Sequence, residues 1–557
     1  MELGSILHFL ENRSILVTVF AEKILRVQPE IKKLYLLLRA PDTNTAMLRF
    51  NNEVIAKDLF EVVKEKCGGN FSSFLSEKVR VVAGDITCEN LGVKELGLLK
   101  EMWEEVDVVV NLAATTNFDE RYDVSLGINT MGARHVFNFS KNCTKLKVLV
   151  HVSTAYVSGE KEGLILETPY KMGETLNGTS GLDIDAEKML VDETLKHLKS
   201  QNYSEDSIKS AMKDLGIQRF RSRLAWSVRL GDLRARKYGW QNTYVFTKAM
   251  GEMVLGHLKE NMPLVIIRPT IVTSTYKEPF PGWVEGVRTI DSLAVGYGKG
   301  RITCFVGDPK NIIDVVSYLL PFNELSMFWV GLGRPDPSPT SQVKKSAQPK
   351  SLSGCSGFGS FVLGQSSPDL LGAAKNEVPA DMVVNAMIVA MVAHANHPNN
   401  ETNIYHIGSS VSNPVEFTWL QDYALRHFTK NPWINKDGKP IIVGKVTVLS
   451  TMDSFQRYMT IRYILPLKKL YLEQCRKIKF VMRLIDLYGP YLFFKGYYDD
   501  MNSEKLRRAA IESGIETEMF NFDPKTINWE DYFMNTHIPG IVKYVRSSEV
   551  YRRQLNT

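Results

Sequence analysis

Cysteine is sparse and scattered. The 557 residues hold six (Cys67, Cys88, Cys143, Cys304, Cys355 and Cys475), with no CxxC pair and no histidine spacing suited to zinc. That excludes a zinc module and a disulfide framework, and the thiols are expected to be reduced. Long apolar runs are lacking too. No uncharged stretch reaches the roughly 18 to 20 apolar residues that a bilayer span needs. The nearest, Val315–Gly333, is broken by Pro321, Asn323 and Glu324. No basic segment leads into an apolar core at the start, so no secretory signal is expected. The net charge of +6 permits a basic patch for an anionic ligand but gives no reason to expect nucleic acid. A cytoplasmic protein is expected, resting at most on a membrane surface such as that of the endoplasmic reticulum. Glycine is missing from one particular place: none occurs between Gly4 and Gly68.

That gap matters because of what fills it. Ser14–Ala40 reads as an apolar strand (Ile15–Thr18), a helical pattern (Phe20, Ile24, Leu25, Val27) and a second strand ending on Arg39. This is the rhythm of a β-α-β unit that binds a dinucleotide. Such a unit normally carries a glycine-rich turn after its first strand, where the pyrophosphate sits on helix-terminal N–H groups.

Further strand-like runs follow at Lys78–Thr87, Val106–Phe118, Lys147–Gly159 and Pro263–Thr275, separated by helix-length segments. Short strands that are apolar on both faces imply an α/β fold with a doubly wound, Rossmann-like parallel sheet. Ligands of such sheets lie beyond the carboxyl ends of the strands, which here offer Thr18, Asp85-Ile86, Ala113-Ala114, Ser153-Thr154 and Pro269-Thr270. At 557 residues, two or more domains are expected. The boundaries fall at 1–312 for a cofactor-binding reductase region with an Arg-rich insertion near 220–234, and at 313–377 for a disordered insertion. A remainder of the first region follows at 378–457, then a smaller, mostly helical and amphipathic domain at 458–546. Within the insertion, Gly331–Leu370 is half Gly, Ser and Pro, too poor in apolar surface to fold alone.

The best candidate for chemistry is "NTYVFTKAMGE", which puts Tyr244 and Lys248 on one helix face. A phenol is a poor acid–base catalyst at neutral pH until a neighbouring ammonium favours its ionised form. The same lysine can hold a nicotinamide ribose, and Ser153 or Thr154 can hydrogen-bond the substrate oxygen. Tyr491 and Lys495 share the spacing, but there an amphipathic helix face is the expected role. Arg39 at the second strand's end fits an adenosine 2′-phosphate, the mark of NADP. Asp85 is either the partner of the adenine amine or a turn residue. Cys143 and Cys304 have no sequence neighbour that would make either a nucleophile.

The stretches "NLAATTNFDERYDVSLGINT", "HVSTAYVSGEKEG", "YGWQNTYVFTKAMGEM", "PLVIIRPTIVTSTYKEPFPGWVEG" and "FNFDPKTINWEDYFMNTHIPGIVKYV" resemble the plant alcohol-forming fatty acyl-CoA reductases. These are extended short-chain-dehydrogenase-type enzymes with a C-terminal "male sterility" domain. The resemblance implies NADPH-dependent reduction of a long-chain acyl-CoA to a primary alcohol for wax- or suberin-type lipids. It carries the catalytic roles onto Tyr244, Lys248 and Ser153 or Thr154. Where the family pattern reads Gly-x-x-Gly-x-x-Ala after the first strand, this chain passes from Thr18 to Val19-Phe20. It therefore resembles a nucleotide site whose cradle has been excised. The Arg-rich segment and the Ser/Gly/Pro segment are the other two departures. One explanation covers all three: a message read with one piece skipped and two intervening pieces retained.

The competing expectation is a relative without catalysis that keeps an acyl-binding groove and serves as a lipid-binding or scaffold protein. A sugar or steroid oxidoreductase would share the Tyr-Lys helix but leaves the C-terminal region unexplained.

Overall fold

A computed structural model describes residues 5–17, 20–179, 181–216, 234–286, 289–302, 304–306, 377–395, 401–435, 437–461, 491, 493–514 and 518–545. Thr18, most of the Arg-rich segment and nearly all of the 313–377 segment lie outside these residues.

Thirteen strands occur among the described residues. They are β1 (Ser14–Val17), β2 (Lys33–Arg39), β3 (Val79–Gly84), β4 (Val108–Asn111), β5 (Val148–Val152), β6 (Gly163–Ile165) and β7 (Leu264–Pro269). Then come β8 (Ile271–Thr273), β9 (Cys304–Val306), β10 (Glu377–Pro379), β11 (Asn403–Ile407), β12 (Thr447–Leu449) and β13 (Gly496–Tyr498). Seven form one sheet in the order β11-β7-β5-β4-β1-β2-β3, all neighbours parallel. The strand order reverses direction between β1 and β4. That is the switch point beyond which a doubly wound sheet takes its ligand.

Alternation along each strand assigns the two faces. Ile15, Leu34, Val108, Val148, Val150 and Val265 share one apolar cluster with the Ala380–Ala395 helix. Leu16, Tyr35, Val109, Leu149 and Leu264 share the other with Val136 and Phe137 of the Gly132–Asn142 helix and Leu255 of the Thr243–Leu258 helix. Burial on both faces is why these strands read as continuous Val/Leu/Ile runs. The expected α/β architecture is therefore present, and β2 ends on Arg39 as the pattern suggested.

The C-terminal residues do not stand apart from this core. Trp529, Tyr532, Phe533, Ile538, Ile541 and Val545 belong to the same cluster as β1 and β5. Gly496–Tyr498, expected within an amphipathic helical stretch, is instead a strand that pairs in parallel with β6. Its tyrosines alternate, with Tyr498 buried and Tyr497 half-buried, which suits a pleat better than a helix face. Glu377, the last residue of the expected disordered insertion, already belongs to β10, whose partner β8 supplies the backbone pairing that orders it. A buried polar joint completes the docking. Ser274 Oγ lies 3.0 Å from His537 Nδ1, His537 Nε2 lies 3.1 Å from Asp291 Oδ1, and Tyr532 Oη donates to the Ser274 carbonyl at 2.7 Å. With Ser274 fully buried, this Ser-His-Asp arrangement fastens the C-terminal region to the loop after β8.

Candidate active site

The Tyr-Lys helix (Thr243–Leu258) starts where Asn242 caps it, its side-chain oxygen accepting the Val245 N–H at 3.1 Å. This is the capping that Asn supplies to an otherwise unsatisfied helix start. The helix is apolar nearly all round and is buried along most of its length, so Lys248 enters the interior with 1% exposure. Lys248 Nζ donates to the Val152 carbonyl at the end of β5, at 2.6 Å. Burial lowers the amine's pKa to about 8, with Glu252 one turn along opposing the shift. Tyr244, one turn before Lys248, is half-buried and stacks on Phe118 with ring centroids 5.4 Å apart and planes inclined by 15°.

The two strand-end hydroxyls differ. Thr154 Oγ1 accepts the Tyr156 N–H, capping the short 3-10 turn at Ala155–Ser158. Ser153 Oγ is buried and has no hydrogen-bond partner among the described residues. By strand alternation Ser153 shares the Leu149 face, the one on which the Tyr-Lys helix lies. An uncommitted hydroxyl there fits a ligand oxygen, because leaving it unpaired costs about 1–3 kcal/mol. Of the two candidates, geometry favours Ser153.

One residue that sequence reasoning missed ties this site together. The helical stretch after Tyr122 contains a π turn at Leu126–Met131, and Asn129 within it is 1% exposed. Its Oδ1 accepts the Thr115 N–H at 3.0 Å, and its Nδ2 donates to the Thr115 carbonyl and to Thr247 Oγ1. The loop after β4 is thereby bolted to the Tyr-Lys helix. The two helices approach so closely that a Cβ on Gly251 would lie 2.5 Å from the Asn129 carbonyl oxygen, which is why glycine stands there. A signal was present: Asn129 sits between Gly127 and Gly132 in an otherwise helical pattern.

Beneath Lys248 lie two further buried groups. His151 is held neutral, its pKa pushed well below the ordinary value by burial and by the nearby Lys248 charge, and its Nδ1 lies 3.1 Å from Asn111 Nδ2. Glu252 and Arg268 form an ion pair at 2.5 Å with both side chains almost fully buried. Removing one partner of such a pair leaves an uncompensated charge. Glu252→Leu is expected to cost about 3–5 kcal/mol, read as a lower urea midpoint with an unchanged slope.

The other sequence candidates fall along the same carboxyl edge of the sheet. Pro269 ends β7, and Thr270 is buried with its N–H on the Ile407 carbonyl. The Ala113 N–H is turned back onto Asn111 Oδ1, at 3.3 Å. Arg39 is exposed at the end of β2. Asp85 Oδ1 accepts both the N–H and the hydroxyl of Thr87, so this carboxylate is at least a turn residue; Ile86 beside it is buried. Burial pushes the Cys143 thiol up to about 12 and that of Cys304 up to about 11, which makes both inert as nucleophiles at neutral pH.

These residues fit a nicotinamide dinucleotide unevenly. At the nicotinamide end, the buried amine of Lys248 and the unpartnered Ser153 hydroxyl suit a ribose and a reacting oxygen. At the pyrophosphate end, β1 stops at Val17 and the next helix starts at Ala21, capped by Phe20 with no side-chain hydrogen bond. Phe20 is 4% exposed and committed to the apolar core, so no glycine backbone is offered there.

Comparison with known proteins gives a consistent result. Two sequence profiles, both described as "Male sterility protein", match residues 15–319 and 458–548. The chain is 50% identical to the "Alcohol-forming fatty acyl-CoA reductase" of Simmondsia chinensis, over 98% of this chain and 99% of that one. It is 46% identical to "Probable fatty acyl-CoA reductase 4" of Arabidopsis thaliana, over 97% and 98% respectively. Among solved structures, the reductase domain of a nonribosomal peptide synthetase from Mycobacterium tuberculosis superposes with a TM-score of 0.49 at 15% identity, covering 97% of this chain and 92% of that one.

Proposed function

The chain belongs to the fatty acyl-CoA reductases of the male sterility type, an oxidoreductase family with a nicotinamide cofactor, and we propose that it forms primary fatty alcohols from long-chain acyl-CoA at the expense of NADPH, with Tyr244 as the proton donor. The observation that carries the residue assignment is the Lys248 amine, buried on the Val152 carbonyl one helical turn from Tyr244 and beside an uncommitted Ser153 hydroxyl.

When bound, a reduced nicotinamide would supply hydride to the acyl carbon and, as a second molecule taken up after the first is spent, to the aldehyde carbon. The Ser153 hydroxyl and the Tyr244 phenol hydrogen-bond the carbonyl oxygen and support the negative charge that grows on it. Expulsion of CoA thiolate, which takes up a proton, leaves the aldehyde. In the second reduction the aldehyde oxygen takes the Tyr244 proton and becomes the alcohol. The Lys248 ammonium holds the phenolate until solvent restores its proton. No acyl-enzyme is required, in keeping with the raised thiol pKa of Cys143 and Cys304.

Three finer points belong to this reading. Arg39 selects NADPH through the 2′-phosphate, and its exposed position at the strand end supports that. The C-terminal region begins near residue 458. Among the described residues no helix is long and apolar enough to cross a membrane, while the insolubility of the product supports peripheral contact with one.

The test is product analysis by gas chromatography after incubating the purified full-length chain with a long-chain acyl-CoA and either NADPH or NADH. Alcohol formed preferentially with NADPH is expected, and Arg39→Asp is expected to shift the preference toward NADH. No alcohol and no NADPH binding, with acyl-CoA affinity retained, would instead support the acyl-binding protein without catalysis. The missing glycine turn is the one observation that favours this second reading.

A further inference from the structure

Phe118 takes no part in the chemistry above, yet it is 1% exposed and lies against the residue that does. It belongs to the loop after β4, where "TTNFDER" carries the chain from the sheet toward the helix at Tyr122. Its ring stacks on that of Tyr244, with centroids 5.4 Å apart and planes inclined by only 15°. The same ring packs against Tyr491 of the C-terminal region, also at 5.4 Å but inclined by 32°. Tyr491 is fully buried, and Tyr156 meets it edge-on at 5.6 Å.

The loop that carries Phe118 is held on both sides of the ring. Thr115, three residues earlier, has its N–H and its carbonyl on the Asn129 side chain. Asn117 Oδ1 accepts the Asp119 N–H at 3.1 Å, and Asp119 Oδ2 accepts from Lys213 Nζ at 2.9 Å. Tyr491 is anchored as well, its Oη accepting the Nδ2–H of Asn242, the residue that caps the Tyr-Lys helix, at 2.6 Å. A close-packed ring backed in this way transmits its position to a neighbour instead of yielding to it.

Tyr244 needs such a neighbour. Its reacting oxygen sits at the far end of the side chain, so a modest rotation about the Cα–Cβ bond displaces it widely. A flat ring lying nearly parallel to the phenol restricts that rotation, and offset stacking is the arrangement aromatic pairs prefer. We infer that Phe118 is a positioning residue for Tyr244: a wall, backed by Tyr491, that fixes the plane of the phenol and so the place of its oxygen. The inference rests on the reading of Tyr244 as the proton donor. It gives the C-terminal region a part in the reaction, exerted through two rings.

The motion of the Tyr244 ring is read without cofactor, by fluorine NMR of the full-length chain carrying 3-fluorotyrosine at position 244. A held ring gives separate lines for the two places its fluorine can occupy, and a freely flipping ring gives one averaged line. Separate lines are expected for the parent and for Phe118→Tyr, which keeps the flat neighbour. One averaged line is expected for Phe118→Leu. Where Phe118→Leu does not fold, Phe118→Met also removes the ring and fills the space with a more adaptable side chain. In turnover, loss of the ring is expected to lower kcat about 10- to 100-fold with little change in KM for the acyl-CoA. It is expected to cost nothing further in a chain that already carries Tyr244→Phe, because the two residues act as one. An averaged line in the parent, lines unchanged by removal of the ring, or an equal loss of kcat with and without the Tyr244 hydroxyl would overturn the inference. The underlying reading fails separately, and visibly, if Tyr244→Phe alone leaves alcohol formation at its full rate.

Discussion

Tyr244→Phe is expected to lower the rate of fatty alcohol formation by about 10²–10⁴-fold, the usual contribution of a positioned general acid. The substitution removes one oxygen and keeps the ring that stacks on Phe118 at 5.4 Å, so the fold should be unaffected. KM for the acyl-CoA should change little, because the proton is given only as the bond to hydrogen forms. The comparison is best made in a chain whose cofactor turn has been restored, so that a low basal rate does not mask the loss. An undiminished rate would show that the proton comes from elsewhere.

The charge on Lys248 gives the same mechanism a pH signature. Its pKa in the folded protein is about 8, lowered from an ordinary 10.5 by burial. The ammonium that holds the phenolate is thus lost as pH rises through about 8, and the rate should fall there. Stability should move in the opposite sense. Between about 8 and 10.5 the unfolded chain binds the proton that the folded chain has released, so unfolding free energy rises with pH across that window. A rate that falls while this contribution to stability grows separates loss of the catalytic charge from alkaline unfolding.

What the sequence reveals and what it hides follow from the range of the forces involved. Strands β1 to β5 and β7 were legible because burial on both faces leaves an apolar run bounded by polar residues, and Tyr244 and Lys248 were legible because four residues make one helical turn. Asn129 was hidden because its role depends on Thr115 and Thr247, which the fold brings to it. The distinction between Ser153 and Thr154 rests on which hydroxyl caps the following turn, a matter of one backbone N–H. The partners of Tyr491 were hidden for a related reason. Its spacing with Lys495 is helical, but its partners are Asn242 and Phe118, and no local pattern announces a contact across that separation. The Glu252–Arg268 pair likewise joins a helix to a strand that each look ordinary alone.

Insertion of a glycine-rich turn between the first strand and its helix is expected to tighten NADPH binding by a hundredfold or more. The premise is geometric. β1 ends at Val17, the helix begins at Ala21, and the helix start is occupied by the buried Phe20 ring, which belongs to the apolar core. Backbone N–H groups reach a pyrophosphate only where no side chain stands between, and glycine supplies that approach. Each charge-assisted hydrogen bond so recovered contributes about 1.5–3 kcal/mol, so two of them correspond to a factor of about 10² to 10⁴ in affinity. NADPH fluorescence titration of the chain with and without the inserted turn measures this directly. The nicotinamide end needs no change, since Lys248 is already placed on the Val152 carbonyl and the Ser153 hydroxyl is uncommitted. Equal and tight binding by both chains would mean that the pyrophosphate is held without the turn, and that the excised cradle is no impairment. Gain of binding together with gain of alcohol formation would locate the defect in those few residues and leave the rest of the site intact.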